Sequence, residues 1–426
     1  MLRPLTWLLL ALLGTCGRAQ VTYFPPQNEA TWEQTDPGYD PDSVAALYRY
    51  LEDTQTKGFI LLQDGKIALE KYFGTFVQDS VWYWASAGKS LRATLVGIAQ
   101  EEGHLAITDT ISRYLGVGWT NLPPEREAAI TVWHQLTMTA GLNELFFSCT
   151  EPNCLRYLAP VGERWAYHNS PYSLTKEVLE AATELPLNAY TNRTIEQPLG
   201  MKSGVWLANG YNTMYFSRVR DAARFGHLIL AGGKWDQTTV LGDTEYFAAM
   251  TSPSQALNPA YGYLWWLNGQ ENYLLPGERT IYPGPTTPAA PDDLIVAAGK
   301  NGQFIAVVPS TGTVMVRFGE AASDDYAPLA YHNSIWERLV GLRGTTATRA
   351  SVRPEAVSSF PNPTGRFVRF RLPAGQYQYA LFDGRGRRCR LGTTNGRIDL
   401  QGLPAGVYTA RLRSADQLFV GKLVKR

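Results

Sequence analysis

The stretch "VWYWASAGKSLRATLVGIAQEEG", residues 81–103, passes from a short aromatic strand pattern into a helical one, and the junction "ASAGKS" admits three catalytic readings. Gly88-Lys89-Ser90 copies the end of a phosphate loop, Ser86 with Gly88 copies half of a nucleophile elbow, and Ser86 with Lys89 forms S-x-x-K. The phosphate loop fails on bulk. Position 83, where its first glycine belongs, holds Tyr83, and Trp82 to Trp84 are too large to wrap phosphates with backbone amides. The elbow fails because Trp84 stands where a glycine relieves strain in that turn. S-x-x-K survives, since residues three apart on a helix share a face and bring the Lys89 amine towards the Ser86 hydroxyl. A desolvated lysine can accept the proton that makes serine a nucleophile.

By itself S-x-x-K is a weak signal, but two further motifs follow in order. "WAYHNSPYSL" supplies Tyr167-x-Asn169 directly before a helical pattern, and "AAGKNGQFIAVVP" supplies Lys300-x-Gly302 leading into a strand. The order S-x-x-K, Y-x-N, K-x-G is the signature of the penicillin-recognising serine hydrolases. Residues 43 to about 341 resemble the β-lactamase-related group that holds class C β-lactamases, D-alanyl-D-alanine peptidases, esterases and 6-aminohexanoate-dimer hydrolases. Further stretches carry the resemblance: "ITVWHQLTMTAGL", "QPLGM", "SRVRDAARFGHLILAGGKW", "YGYLWW" and "GQFIAVVPSTGTVMV".

The resemblance implies an α/β fold: an antiparallel sheet flanked by helices, plus an all-helical subdomain, with the active site between them. It implies Ser86 as nucleophile, Lys89 as its base, Tyr167 as proton shuttle to the leaving group and Asn169 as a positioning group. Lys300 would supply positive charge, Gly302 completes the third motif, and the backbone amides of Ser86 and Gln303 would form an oxyanion hole. One departure stands out. The third motif usually carries Thr or Ser at its centre, whose hydroxyl helps to hold a substrate carboxylate, and this chain has Asn301. Esters or small amides are therefore the expected substrates, with a D-alanyl peptidase or β-lactamase activity, or a catalytically silent binding role, as the alternatives.

Other features narrow the surroundings. "YHNS" recurs at 331–334, inside the amphipathic pattern "YAPLAYHNSIWERLV", which favours packing over chemistry. His168 reads as a polar histidine behind the site rather than a base. Trp82, Tyr83, Trp84, Phe146 and Phe147 fit either an apolar substrate cleft or core. No Cys/His cluster or H-E-x-x-H suggests a metal, and no cofactor motif stands. Net charge is only +1, which gives no argument for nucleic acid.

The start, "MLRPLTWLLLALLGTCGRAQ", has an early Arg3, an apolar run from Leu5 to Leu13 and small residues at Gly17 and Ala19. It reads as a signal peptide over residues 1–19 rather than a lipoprotein box at Cys16, and its apolar run is short of the roughly 20 residues of a membrane span. Cys149 and Cys154 are close enough to close a small loop in an oxidising compartment, or are buried thiols.

Helical spacing at 42–56, a hairpin around Asp64-Gly65, mostly helical patterns from Leu105 to about Leu257, strands after Tyr261 and a last helix at about 326–341 fill the hydrolase region, 20–342. Residues 343–359 gather Thr, Ser, Ala and Arg without periodicity and read as a linker. From Phe360 short strands alternate with Gly, Pro and Asp, the pattern of a small all-β sandwich. "FPNPT", "LFDGRGR", "IDLQGLPAGVY" and the final "GKLVKR" resemble the type A carboxy-terminal sorting domain of the type IX secretion system. That resemblance implies the outer-membrane secretion machinery as a partner of residues 360–426, and a secreted or surface-attached protein exported first by its signal peptide.

Overall fold

The computed structural model describes residues 23–146, 148–320, 325–342, 355–373, 375–383, 388–414 and 418–426. The expected signal peptide, Phe147 and most of the linker lie outside them. The chain divides into two compact units, residues 1–344 and 345–426.

The first unit begins with helix α1 (Pro41–Asp53), whose start is fixed by Asp40: its carboxylate accepts from the Ser43 amide at 2.8 Å, and Pro41 suits the first turn. Strands β1 (Thr56–Gln63) and β2 (Lys66–Tyr72) form the expected hairpin. Asp64 and Gly65 take φ of +50° and +81°, the left-handed pair that a two-residue turn needs. Strand β3 (Val81–Tyr83) and helix α2 (Gly88–Glu101) follow, joined by a single 3-10 turn, Ala85–Ala87. A set of short helices then includes α3 (Asn169–Ser173) and α4 (Thr175–Thr183).

The region expected to be mostly helical needs one correction. Gly204–Asn209 (β4) and Asn212–Arg218 (β5) are a hairpin, and β5 pairs with β3, giving a small sheet in the order β3-β5-β4. Val205, Trp206, Thr213, Tyr215 and Phe216 give its strands aromatic and β-branched character, and Gly210-Tyr211, with Gly210 at φ +61°, forms the turn. Helix α5 (Val219–Leu230) follows directly.

Strands β6 (Trp266–Leu267), β7 (Ile295–Gly299), β8 (Gln303–Val308) and β9 (Thr313–Gly319) complete the main sheet, in the order β2-β1-β9-β8-β7-β6, every neighbour antiparallel. The stretch around "YGYLWWLN" contributes only the two-residue edge strand. The two ends of the chain segment thus meet in mid-sheet, β1 against β9. Strand alternation gives the sheet two buried faces. Ile305 and Val307 meet α5 at Gly226, where even a Cβ would collide, while Phe304 packs on Tyr331 and His332 of helix α6 (Leu329–Val340) on the other side.

The junction of β5 and α5 is pinned by buried charge. Arg218 donates to Glu29 at 2.6 Å and to Asp221 at 2.8 and 2.9 Å, and Arg220 holds Glu70 through two bonds of 2.7 Å. Glu29 and Asp221 are 4% and 0% exposed. Arg218→Met takes the close cation from Asp221 and leaves Glu29 only the longer contacts of Arg220, Arg224 and Lys202 at 3.8–4.0 Å, and it is expected to lower stability by about 3 kcal/mol, read from urea denaturation.

In the second unit, Tyr377–Phe382, Arg388–Thr394, Gly406–Arg413 and Leu418–Lys425 form with Glu355–Ala356 a five-stranded sheet, and Ser359–Phe360, Phe367–Phe370 and Arg397–Asp399 form a three-stranded one. The last residues of the expected linker are therefore strand residues of this unit. Its own core gathers Val368, Phe370, Tyr377, Leu381, Tyr408, Leu412 and Leu423.

Candidate active site

The 3-10 turn at the head of α2 places Ser86. Ala85 is held at φ +47°, a left-handed conformation that a residue with a side chain adopts only under constraint. Here the fully buried Trp84 anchors the preceding residue through its indole, which donates to Ser217 Oγ at 2.8 Å. Lys89 follows one turn later, 3% exposed, and its Nζ donates to Ser86 Oγ at 3.3 Å. The amine lies 4.0 Å from the centre of the Tyr172 ring and 5.3 Å from that of Tyr167. Burial, and to a smaller extent the charge of Arg92, pull the Lys89 amine down to about 7.

Tyr167 hydrogen-bonds Ser86, and burial pushes its phenol above the ordinary tyrosine range. Its ring stacks on Trp266 and meets Tyr261 edge-on and Trp165 at a tilt, so aromatic packing fixes its direction. Asn169 opens α3 and hydrogen-bonds Tyr211, which Ser148 also reaches. Ser148 adjoins Cys149, and Cys149 is disulfide-bonded to Cys154.

Lys300 and Asn301 lie at the turn between β7 and β8, with Asn301 at φ +66°. Lys300 is exposed, its Nζ 5.4 Å from the Tyr326 ring centre, and Asn301 Nδ2 donates to the Tyr83 hydroxyl at 2.7 Å. Gly302 takes φ +76° against Tyr331 and Arg317, where a Cβ would lie 2.9 Å and 2.8 Å from them. Gln303 is buried and braces Gly319 through two side-chain bonds, 2.7 and 3.0 Å. Its backbone stands opposite Gly299 in the ladder.

Ser86, Lys89, Asn169, Lys300 and Asn301 line one cleft of about 310 Å³ together with Tyr83, Tyr172, Asn209, Tyr211, Asn212, Thr213, Met214 and Tyr326. Tyr167 reaches it through Ser86, whereas Gly302 and Gln303, which follow Asn301 in the chain, are not among its lining residues. No carboxylate is among the lining residues described.

Two features escaped the sequence reading. The β4–β5 turn contributes Asn209 to Asn212 to the wall, a contribution that Asn209-Gly210 between β-rich runs could have signalled. Gly299 presses against the nucleophile turn: a Cβ there would stand 2.5 Å from the Trp84 carbonyl oxygen and 3.0 Å from the amide nitrogens of Ser86 and Ala87. No local pattern announces that approach.

Of the aromatic residues expected in cleft or core, Tyr83 lines the cleft and Trp84 is core. Trp82 packs on Phe76 and Tyr83, and Phe146 lies under Arg156. His168 is buried and pushed down to about 4, hence neutral at neutral pH. In the second "YHNS", His332 is fully buried, meets Thr287 at 3.0 Å and accepts from the Trp336 indole at 3.1 Å. It is a packing residue.

The sequence matches the family model described as beta-lactamase over residues 47–332. The chain belongs to the β-lactamase family. Known structures agree with that family's fold. A Bacillus anthracis protein provisionally described as a 6-aminohexanoate-dimer hydrolase superposes with a TM-score of 0.57 at 16% identity, over 76% of this chain and 88% of that one. A penicillin-binding protein homologue from Caulobacter crescentus gives 0.53 at 15%, over 72% and 100%. The octameric penicillin-binding protein homologue from Pyrococcus abyssi gives 0.54 at 15%, over 90% and 96%. Residues 358–426 match the secretion system C-terminal sorting domain, so this β-lactamase-family chain carries an export tail. No curated protein matches the sequence significantly.

Proposed function

We propose that this chain is a secreted serine hydrolase that cleaves esters or small amides through an acyl-enzyme on Ser86. The observation that carries this reading is the buried, carboxylate-free Lys89 amine at 3.3 Å from Ser86 Oγ. In the proposed sequence, neutral Lys89 takes the Ser86 proton as Oγ attacks the substrate carbonyl, and Tyr167 passes a proton to the departing alcohol or amine. Water then attacks the acyl-enzyme, releasing the acid and restoring Ser86. The amides of Ser86 and Gln303, on either side of the Gly299 backbone, are the candidate oxyanion donors. Lys300 supplies positive potential, and Asn169 orients the site. The itinerary that fits the sorting tail is export by the amino-terminal signal peptide followed by passage through the outer-membrane secretion machinery.

Intact mass after treatment with a fluorophosphonate tests the nucleophile: one adduct, mapped to Ser86, is expected. An unmodified chain would overturn the reading. The pH profile tests the base. A lysine with its amine held at about 7 is neutral above that pH and protonated below it, so kcat/KM is expected to fall tenfold per unit on the acid side of about 7.

Asn301 supports esters over β-lactams. Its amide is engaged with Tyr83, and it offers no hydroxyl to a substrate carboxylate. Short-chain p-nitrophenyl esters are therefore expected to give a higher kcat/KM than nitrocefin in a side-by-side assay, and the opposite ranking would favour the β-lactamase alternative.

A further inference from the structure

Helix α2 buries a second cation one turn beyond Lys89. Arg92 is 0% exposed, yet none of the described carboxylates pairs with it. Its Nη1 donates to Thr175 Oγ1 at 3.2 Å and its Nη2 to Thr213 Oγ1 at 2.6 Å, both neutral hydroxyls, while Nε finds no protein acceptor. The guanidinium lies 4.4 Å from the Trp206 ring centre and 5.2 Å from that of Tyr172. Tyr172 is the same ring that carries the Lys89 amine at 4.0 Å. Lys89 and Arg92 thus share one aromatic ring, and among the described residues no carboxylate is paired with either. Burying an unpaired charge is costly, and an apolar side chain of this length would fill the space at less expense.

We propose that Arg92 is a positioning residue for the hydrolase reaction: its uncompensated charge, fixed beside Lys89 by Tyr172, Thr175 and Thr213, keeps the Lys89 amine in its neutral, proton-accepting form. The inference rests on the functional reading above. Like charges in a shared low-dielectric space disfavour each other's protonation, and lysine is the partner that can yield its proton. The other titratable groups near Lys89 are Tyr167 and Tyr172 beside it and Lys300, Tyr83, Tyr211 and Tyr326 around the cleft. On α4, which packs against α2, Lys176 is paired with Glu177 and Glu180, and Asp243 reaches α2 only at Gln100. Among the described residues, no carboxylate pairs with Arg92.

Three variants separate charge from shape. Arg92→Met removes the charge, Arg92→Lys keeps it while losing the forked bonds, and Thr175→Asp keeps Arg92 but gives it a counter-ion. Thr175 is the first residue of α4, where an aspartate suits the helix N-terminus, although it gives up the hydroxyl bond to the Tyr172 carbonyl at 2.7 Å; Thr175→Asp and Arg92→Met are therefore read in parallel, so that the test stands on whichever of them folds. The readouts are fluorophosphonate labelling and the acid limb of kcat/KM on p-nitrophenyl acetate. Arg92→Met and Thr175→Asp are expected to move the limb to higher pH by about one unit, with rate recovered above it, and Arg92→Lys to leave the limb in place. Labelling at Ser86 with limbs that coincide in the parent and Thr175→Asp would overturn the inference alone. Absence of any Ser86 adduct in the parent would overturn the functional reading and this inference together.

Discussion

Ser86→Ala is expected to remove turnover, by at least about 10⁴-fold in kcat, while leaving the thermal midpoint within about 2 °C of the parent. The argument is local. Ser86 sits in a 3-10 turn whose geometry is fixed by Trp84 and by the close approach of Gly299, and its hydroxyl is bonded to Lys89 and Tyr167. Deleting one oxygen takes away the group that would carry the acyl intermediate and leaves the packing of the turn intact. Fluorophosphonate labelling and ester hydrolysis should disappear together. Turnover close to that of the parent would sink the assignment.

The second large effect is expected at Lys89. Methionine has nearly the same length and no charge, so Lys89→Met fills the same buried channel beside Tyr172 but cannot accept a proton. The rate is expected to fall by about 10³-fold or more, in kcat rather than KM, because substrate need not touch the amine to bind. Stability should hold or rise, since the parent must keep an amine in a site that disfavours its charge. A change confined to KM would instead point to a role for Lys89 in holding substrate.

The Ser86 end of the candidate site was legible because its pattern is local. Ser86, in the 3-10 turn, and Lys89, in the first turn of α2, are three residues apart, and Tyr167 and Asn169 are two apart at a helix start, so spacing alone brings each pair together. Their union across the cleft was legible only through the order of the motifs. The β1–β2 hairpin and α1 carried their own turn and cap signals. The β4–β5 hairpin did not stand out because the strong helical period of α5 begins immediately after it and draws the whole segment into one pattern. Arg92 was invisible for a different reason: an arginine on a helix reads as solvent-facing, and only tertiary packing reveals that its charge is enclosed.

The bare backbone of Gly299 bears on how such an enzyme can diversify. Any mutation that gives residue 299 a side chain wedges the sheet away from the nucleophile, so the sheet edge under Ser86 is closed to variation. The opposite wall is under no such restraint. Asn209 is exposed at a hairpin tip, and Tyr326 is 55% exposed. Drift in substrate preference among descendants of this chain would accumulate at those positions, where side chains can be exchanged without disturbing the reacting serine.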